Sequence, residues 1–293
     1  MKRRRFLSLS ACAMLPAIGL RAAPALPQEW RGAAMGADVT LRLHGAGTAQ
    51  ANGFFTEARR LLAHVENQFS LYRESDLMRL NRLGRLRFPG ADMLALMALS
   101  VRLHRVTGGA FDPSVQPLWR ARAGGGDETA ARALTGWAEV AWSEHEIRLP
   151  RPGMALTFNG IAQGLAADLL ADAARRHDLS DLLIDSGEIR ALGPRDWQAG
   201  LADAGNRVRR RIALRDRALA TSSPRGTLIG PAGAPHIIAS DGRRAVWDTV
   251  SVSAPSAALA DGLSTALCLM SPAETEIALA ELPDCRIEMA IPA

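Results

Sequence analysis

The sequence predicts an α+β fold built as a single large domain. Three observations lead there. Strand-like and helix-like segments come in mixed order, without the regular βαβ alternation of a parallel sheet. The chain has 293 residues, 48% of them hydrophobic and 22% charged, which suits a large core and argues against disorder. No fixed-period repeat and no convincing linker divides it.

Residues 1–25 stand apart. Lys2, Arg3, Arg4 and Arg5 precede an apolar run from Leu7 to Leu20, and Ala23-Pro24-Ala25 offers a small-x-small cleavage site, the pattern of an export signal. Arg3-Arg4-Arg5-Phe6-Leu7 fits the twin-arginine form, against the alternative of an ordinary arginine-rich signal peptide. The expected boundaries are a signal over 1–25 and a mature, periplasmic domain over 26–293. Leu9-Ser10-Ala11-Cys12 resembles a lipid-attachment box, but too little apolar sequence precedes it, and it is read as coincidence. No other run approaches the ~20 apolar residues of a membrane helix.

Composition narrows the chemistry. Residues 1–25 hold five of the 35 basic residues and no acid, so the mature chain carries 30 charges of each sign. The formal charge of +5 belongs to the signal, and no nucleic-acid partner is expected. Lys2 is the only lysine, which excludes Schiff-base, P-loop and pyridoxal chemistry from the mature domain. Cys268 and Cys285 lack the spacing of a zinc site, and the sequence leaves open whether they are bonded.

Residues 34–44 alternate and predict a strand. Residues 49–69 carry apolar side chains at helical spacing. Ser75 is placed to cap a short helix ending near Asn81. A strong helix over 93–106 stops at Thr107-Gly108-Gly109, and 110–119 reads as a proline-punctuated loop. A hairpin is expected over 140–149, then a strand over 154–158 running through Asn159-Gly160 into a helix over 165–177. Residues 182–193 read as strand, turn, strand, followed by short strands over 197–201, 208–214, 218–221 and 235–239. Residues 250–254 lead into a helix over 256–270, and 285–291 form the last strand.

That helix holds the clearest chemical signal. Asp261 and Thr265 sit four residues apart, which puts both on one face with Cβ atoms about 5–6 Å apart. A carboxylate and a hydroxyl on a rigid face suit a hard cation such as Mg²⁺. The competing reading is a core helix that Asp261 caps or starts and whose Thr265 bonds back to a carbonyl. Three glycine turns, 107–112, 159–164 and 185–188, could let a ligand approach the main chain, or could be structural. The second is not Gly-x-Gly-x-x-Gly, so a Rossmann site is unsupported. Ser222-Ser223 lacks a hydrolase elbow and is given no nucleophile role. His236 follows a Gly/Pro loop, where its ring could face a cleft or simply end a strand.

In order along the chain, these pieces resemble the ApbE-type flavin transferases, or FAD:protein FMN transferases. The matching pieces are Met35-Gly36, Ser70-Leu71-Tyr72 with Ser75-Asp76-Leu77 and Asn81, and Thr107 through Pro113. They continue with Gly160-Ile161-Ala162-Gln163-Gly164 and Asp168, Ser186-Gly187-Glu188, Ala220-Thr221-Ser222, His236-Ile237-Ile238, and Ser251 through Asp261 with Thr265. The wording of 159–164 and the arginine-rich signal look most like the branch serving nitrous oxide reductase maturation. The resemblance implies a T-fold-related mixed architecture. It implies that FAD is cleaved at its pyrophosphate, that FMN passes to a Thr or Ser of an acceptor flavoprotein, and that AMP leaves. A membrane-bound electron-transfer protein is among the candidate acceptors. It implies Mg²⁺ held by Asp261 and Thr265, with Ser264 and the Gly160 carbonyl as neighbours. Met35, Tyr72, Ala110, Phe111, Asp112, Thr157, Gln163 and Ile238 match flavin- or nucleotide-contacting positions, and His236 matches a general base.

The chain departs from the family wording. Thr157 and Gln163 stand where an aspartate and a lysine are usual, Ala239 stands where an aspartate commonly follows the His-Ile-Ile, and Ser223 replaces a glycine. These changes keep two alternatives open: an FAD pyrophosphatase with water as acceptor, and a non-catalytic flavin carrier or chaperone.

Overall fold

A computed structural model describes residues 27–293. The expected signal over 1–25 and Cys12 lie outside the described residues. The strand expected over 34–44 is a hairpin: β1 (Gln28–Ala34) pairs antiparallel with β2 (Ala37–Leu43). Met35 and Gly36 form its turn at φ of 51° and 82°. The alternation of 37–43 is real, but the two-residue turn hides inside it.

The helix α1 (Thr48–Phe69) buries Phe54, Ala58, Leu62, Val65 and Phe69 along one face. Ser75 caps α2 (Asp76–Leu83) as expected, its hydroxyl accepting the Met78 N–H, and Gly84 closes the helix at φ 69°. A small sheet joins β3 (Arg85–Arg87), β4 (Ala141–Trp142) and β5 (Glu146–Arg148) in the order β3-β5-β4. Between them lie α3 (Ala91–Val106), α4 (Gln116–Gly124) and α5 (Glu128–Arg132). Part of the expected loop over 110–119 is therefore helical. Pro113 and Pro117 fall in first turns, where a missing N–H leaves no bond unmade.

The expected strand over 154–158 does not form. That stretch is buried, but its polar groups are taken elsewhere. The Leu156 N–H donates to Asn81 Oδ1 at 2.7 Å, the Leu156 carbonyl accepts from Asn81 Nδ2 at 2.9 Å, and the Thr157 N–H donates to the Pro113 carbonyl at 2.8 Å. One asparagine side chain does what a neighbouring strand would otherwise do. The chain then enters α6 (Ala162–Arg176), one turn earlier than expected.

The central sheet has seven antiparallel strands in the order β1-β2-β6-β7-β10-β13-β14. The later members are β6 (Leu182–Asp185), β7 (Ile189–Leu192), β10 (Ala218–Ser222), β13 (Trp247–Ala254) and β14 (Arg286–Pro292). Its two faces are covered differently. The hairpin of β8 (Trp197–Ala202) and β9 (Val208–Leu214) puts Trp197, Ala199, Leu201 and Leu214 against Leu183, Ile189, Ala191 and Leu219. The main core, on the other side, includes α1, α6 and α7 (Ala257–Leu267). The expected strand over 235–239 shrinks to β12 (Ala234–Pro235), paired with β11 (Leu228–Ile229), because Pro235 has no N–H to continue a ladder. The helix α8 (Pro272–Ala280) was not foreseen, although Ser271 and Glu274 form a full capping box ahead of it. Cys268 and Cys285 are both buried free thiols. Among the described residues no helix is long and apolar enough to cross a membrane.

Candidate functional site

The site is built where the N-terminal end of α6 meets the middle of α7. A Cβ on Gly164 would collide with the Ala257 carbonyl, so only glycine lets the two helices come this close. Asp168, one turn further along α6, accepts the N–H groups of Ala257 at 2.8 Å and Ala258 at 3.0 Å. Its carboxylate thereby satisfies two of the unpaired donors that begin α7. Arg190 stands behind it at 3.7 Å. Ser256 caps the same helix through the Leu259 N–H. These contacts fix the depth and rotation of α7.

So positioned, α7 carries Asp261 in its interior, not at its start. The Asp261 carboxylate is 4% exposed, and its nearest donor is the Gly164 N–H at 3.4 Å. Burial and the nearby Asp168 charge push its carboxyl well above the usual range. Thr265 lies one turn on. A Cβ on Gly160 would stand 3.2 Å from Thr265 Oγ1, so the backbone at 160 comes up against that hydroxyl.

A serine on the end of β10 joins the set. Ser222 Oγ lies 2.8 Å from Ser264 Oγ and 3.2 Å from Thr265 Oγ1. The Ser264 hydroxyl donates to the Asp261 carbonyl at 2.9 Å. Each hydroxyl has one proton, so Ser222 donates to Ser264 and Thr265 donates to Ser222. Ser264 is fully buried and committed to this chain, while Thr265 stands at its end with lone pairs to spare. Sequence reasoning gave Ser222 no individual role. Its only signal was the Ala220-Thr221-Ser222 wording.

Beyond Ser222 the chain runs through Ser223, whose hydroxyl meets Thr249 Oγ1 at 2.9 Å, to Pro224. The Pro224 carbonyl accepts from the His236 backbone N–H at 3.1 Å. His236 Nδ1 lies 3.1 Å from both the Pro224 and Thr227 carbonyls. Carbonyls only accept, so Nδ1 carries the proton and Nε2 keeps its lone pair. Burial lowers the imidazole pKa below 6.5, partly offset by those two carbonyls. His236 is therefore a neutral ring with a fixed tautomer, tied two residues from the serine that touches Thr265.

The remaining expected residues gather around this centre to different degrees. Met35, in the β1–β2 turn, donates its N–H to Glu66 Oε1 at 3.0 Å, and Glu66 also pairs with Arg73 beside Tyr72. That arrangement brings the Met35 turn and Tyr72 to one end of α1. Tyr72 is 74% exposed, a free ring on the rim. Ala110 and Phe111 are buried; the Phe111 ring packs near Gly160 and Gly262, and its N–H and carbonyl are taken by Thr107 Oγ1 at 3.1 Å and His104 Nδ1 at 2.9 Å. Asp112 accepts from the Ser114 N–H at 2.8 Å and from the Ser114 hydroxyl at 2.6 Å. Thr157 is joined to this turn through Pro113. The Gln163 amide lies over Gly187, which turns at φ 94°. Ile238 lines a cleft of about 500 Å³ with Pro224, Arg225, Ile237 and Trp247. Arg132 holds the Ala239 carbonyl at 3.0 Å in the same cleft wall, and Arg243 reaches the Gly108 carbonyl at 3.4 Å. The loop after His236 is thereby tied to the first glycine turn.

Among the described residues no group of three His, Cys, Asp or Glu side chains forms a ready metal cage. The donors here are one helical carboxylate, one hydroxyl with lone pairs to spare and nearby backbone, which fits a cation that keeps waters and shares phosphate oxygens.

Comparison with known proteins agrees with this layout. A family model described as the ApbE family matches residues 35–289. The fold is similar to the flavin transferase ApbE from Vibrio cholerae, at 24% identity and TM-score 0.76 over 92% of this chain and 98% of that one. It is similar to the Pseudomonas stutzeri flavinyl transferase ApbE in its apo form, at 24% identity and TM-score 0.76 over 90% and 91%. It is also similar to the ApbE protein of Thermotoga maritima, at 22% identity and TM-score 0.76 over 89% and 94%. No curated protein matches. The family model spans the hairpin turn at Met35, the glycine turns, His236 and α7, and the chain belongs to the ApbE family.

Proposed function

We propose that this protein is a Mg²⁺-dependent FAD:protein FMN transferase that matures an exported flavoprotein. FAD is its donor substrate. The acceptor's Thr or Ser hydroxyl oxygen attacks the FMN-side phosphorus, the pyrophosphate P–O bond breaks, and AMP departs with that electron pair. The hydroxyl proton goes to His236 Nε2. The observation that carries this reading is the tether from the Thr265 hydroxyl and the Asp261 main-chain carbonyl, by hydrogen bonds through Ser264 to Ser222, and then along the chain to Pro224, whose carbonyl holds His236. It joins a hard-cation face to a neutral base in one rigid unit.

Asp261 and Thr265 would hold the cation, with the Gly160 backbone beside them. Bound there, the cation supplies neutralisation of charge on the phosphate oxygens. Tyr72 offers a stacking face to the isoalloxazine or adenine ring. Thr157 and Gln163 contribute hydrogen bonds without charge, and the mature chain has no lysine to help hold the diphosphate. Charge neutralisation then rests on the cation and on arginines. Residues 1–25 support export by the twin-arginine route, periplasmic location and an acceptor on that side of the membrane. The 159–164 wording supports the nitrous oxide reductase branch.

Incubation with FAD, Mg²⁺ and a flavoprotein acceptor domain, followed by intact mass, tests the reading. An acceptor gain of one FMN, with equimolar AMP, is the expected result. Free FMN with AMP and an unmodified acceptor would replace it with FAD hydrolysis. Neither product would leave a flavin carrier.

A further inference from the structure

One buried group beside the site has no role in the reading above. Glu188 is the last residue of the β6–β7 turn and is 7% exposed. One side of its carboxylate takes the Thr221 N–H, next to Ser222, but Oε2 is buried with no hydrogen-bond partner. A buried carboxylate oxygen left unpaired is costly unless something cationic meets it. The like charges acting on it are Asp261 first and Asp185 second. No lysine exists in the mature domain to offset them, and Arg190 is committed to Asp168 on α6. The turn itself is held against the site: Gly187 packs under Gln163, whose neighbour Gly164 donates to Asp261.

We infer that Glu188 is the second carboxylate of the cation site, facing Asp261 from the β6–β7 turn with its unpartnered Oε2. This rests on the proposed cation at Asp261. Two carboxylates from different elements match what a hexacoordinate divalent ion takes from protein while keeping waters. A charge placed there acts whether it meets the ion directly or through one of its waters. It also gives the turn a function: the sheet strand and the helix are both held to the same ion.

The test is cation binding without FAD. Mn²⁺ serves as the probe, since it shares the oxygen preference of Mg²⁺ and is read by electron paramagnetic resonance. Wild type, Glu188→Gln, Glu188→Asp and Asp261→Ala are titrated at one pH, with folding checked by circular dichroism. Glu188→Gln keeps the shape and the Thr221 bond and removes only the charge. It should weaken Mn²⁺ binding about 10–100-fold. Glu188→Asp, which restores the charge, should recover most of it, and Asp261→Ala should abolish it. Equal affinity in wild type and Glu188→Gln, with loss only in Asp261→Ala, would overturn the role of Glu188 and leave the cation site standing. Mn²⁺ binding unaffected by Asp261→Ala would remove the cation site and this inference with it. If Glu188→Gln fails to fold, Glu188→Asp decides: its carboxylate, drawn back from the ion by one methylene, should still weaken Mn²⁺ binding a few-fold, and an affinity equal to wild type overturns the inference.

Discussion

The two walls of the site are made in opposite ways. The α7 wall is dry and closed. Asp261 and Ser264 are buried, Gly164 is pressed against the Ala257 carbonyl, and Asp168 caps the helix from α6. The remainder of the candidate site is more open and irregular. Tyr72 stands exposed, and His236 sits in a loop where the ladder ends after Pro235. The contrast teaches a division of labour. In the proposed transfer, charge neutralisation needs fixed oxygens in a low-dielectric place, while a large donor and a protein acceptor need room to enter. Ser222 is the bridge, with one hydroxyl touching the closed wall and its chain leading to the histidine of the open one.

The largest break in this comparison should come from Asp261→Ala. Removing the helical carboxylate should cost about 10³-fold in Mg²⁺-dependent AMP release from FAD, the several kcal/mol a cation contributes to such a transfer. A folded variant releasing AMP at the normal rate would show that the closed wall holds no cation. His236→Ala comes next. It should still bind FAD but lose about 10²–10⁴-fold in transfer to an acceptor, followed by intact mass. The pH profile adds a sign. Burial favours the neutral ring, so the acid limb of transfer should lie below 6.5 and be absent from the variant. An acid limb shared by both would assign it to another group.

Gly164→Ala separates packing from chemistry. The added methyl must push α6 from α7, at a cost of about 1–3 kcal/mol in stability. At roughly 2–4 °C per kcal/mol for a chain near this size, melting should drop measurably. Because the Gly164 N–H also faces Asp261, cation affinity should fall with it. A variant with wild-type melting would mean that the helices are not so closely locked.

The fold was legible wherever one local rule decided the outcome. The Ser75 cap, the helices over 49–69 and 93–106 and the strands over 208–214 and 218–221 all follow from periodicity and capping. It was not legible where a distant group decided. Residues 154–158 look like a strand, and Asn81, 75 positions away from Leu156, makes them something else together with the Pro113 carbonyl. The pairing of Asp261 with Thr265 could be read from spacing, since both lie on one helix. Ser222 and Glu188 could not, because each reaches the site by sheet register. Thr221 pairs with Ser251 in β13, and Glu188, just ahead of β7, meets the Thr221 N–H.

The closed wall should also leave a mark on stability. Burial raises the carboxyls of Asp261 and Glu188, and brings Asp185 up to about 6 from 3.8. Between the unfolded value and those raised values, the folded chain holds protons that the unfolded chain releases. Stability of the cation-free protein therefore falls as pH rises through that window. Asp261→Asn should remove its share, raising the melting temperature in EDTA at pH 8 while changing little at pH 5. A gain on the order of 1 kcal/mol corresponds to roughly 2–4 °C. His236 and the arginine-paired Glu57 and Glu128 act with the opposite sign, and the difference between variant and wild type cancels them. Mg²⁺ should stabilise wild type more at pH 8 than at pH 5, because at pH 5 it must displace those protons. A Mg²⁺ effect independent of pH would contradict the buried carboxylates as its ligands.

The smallest effect belongs to the open wall. Tyr72→Ala removes an exposed ring that makes no ring contact with another aromatic side chain among the described residues. Stability should hardly change, because little of the ring is buried by the protein itself. A stacked pair contributes about 0.5–1.5 kcal/mol beyond its buried area, so the KM for FAD should rise by up to about tenfold. The maximal rate should stay near that of wild type, since a stacking face holds the donor equally before and during transfer. A fall in maximal rate with KM unchanged would instead put Tyr72 at the reacting phosphate, and the open wall would then share the chemistry now assigned to the closed one.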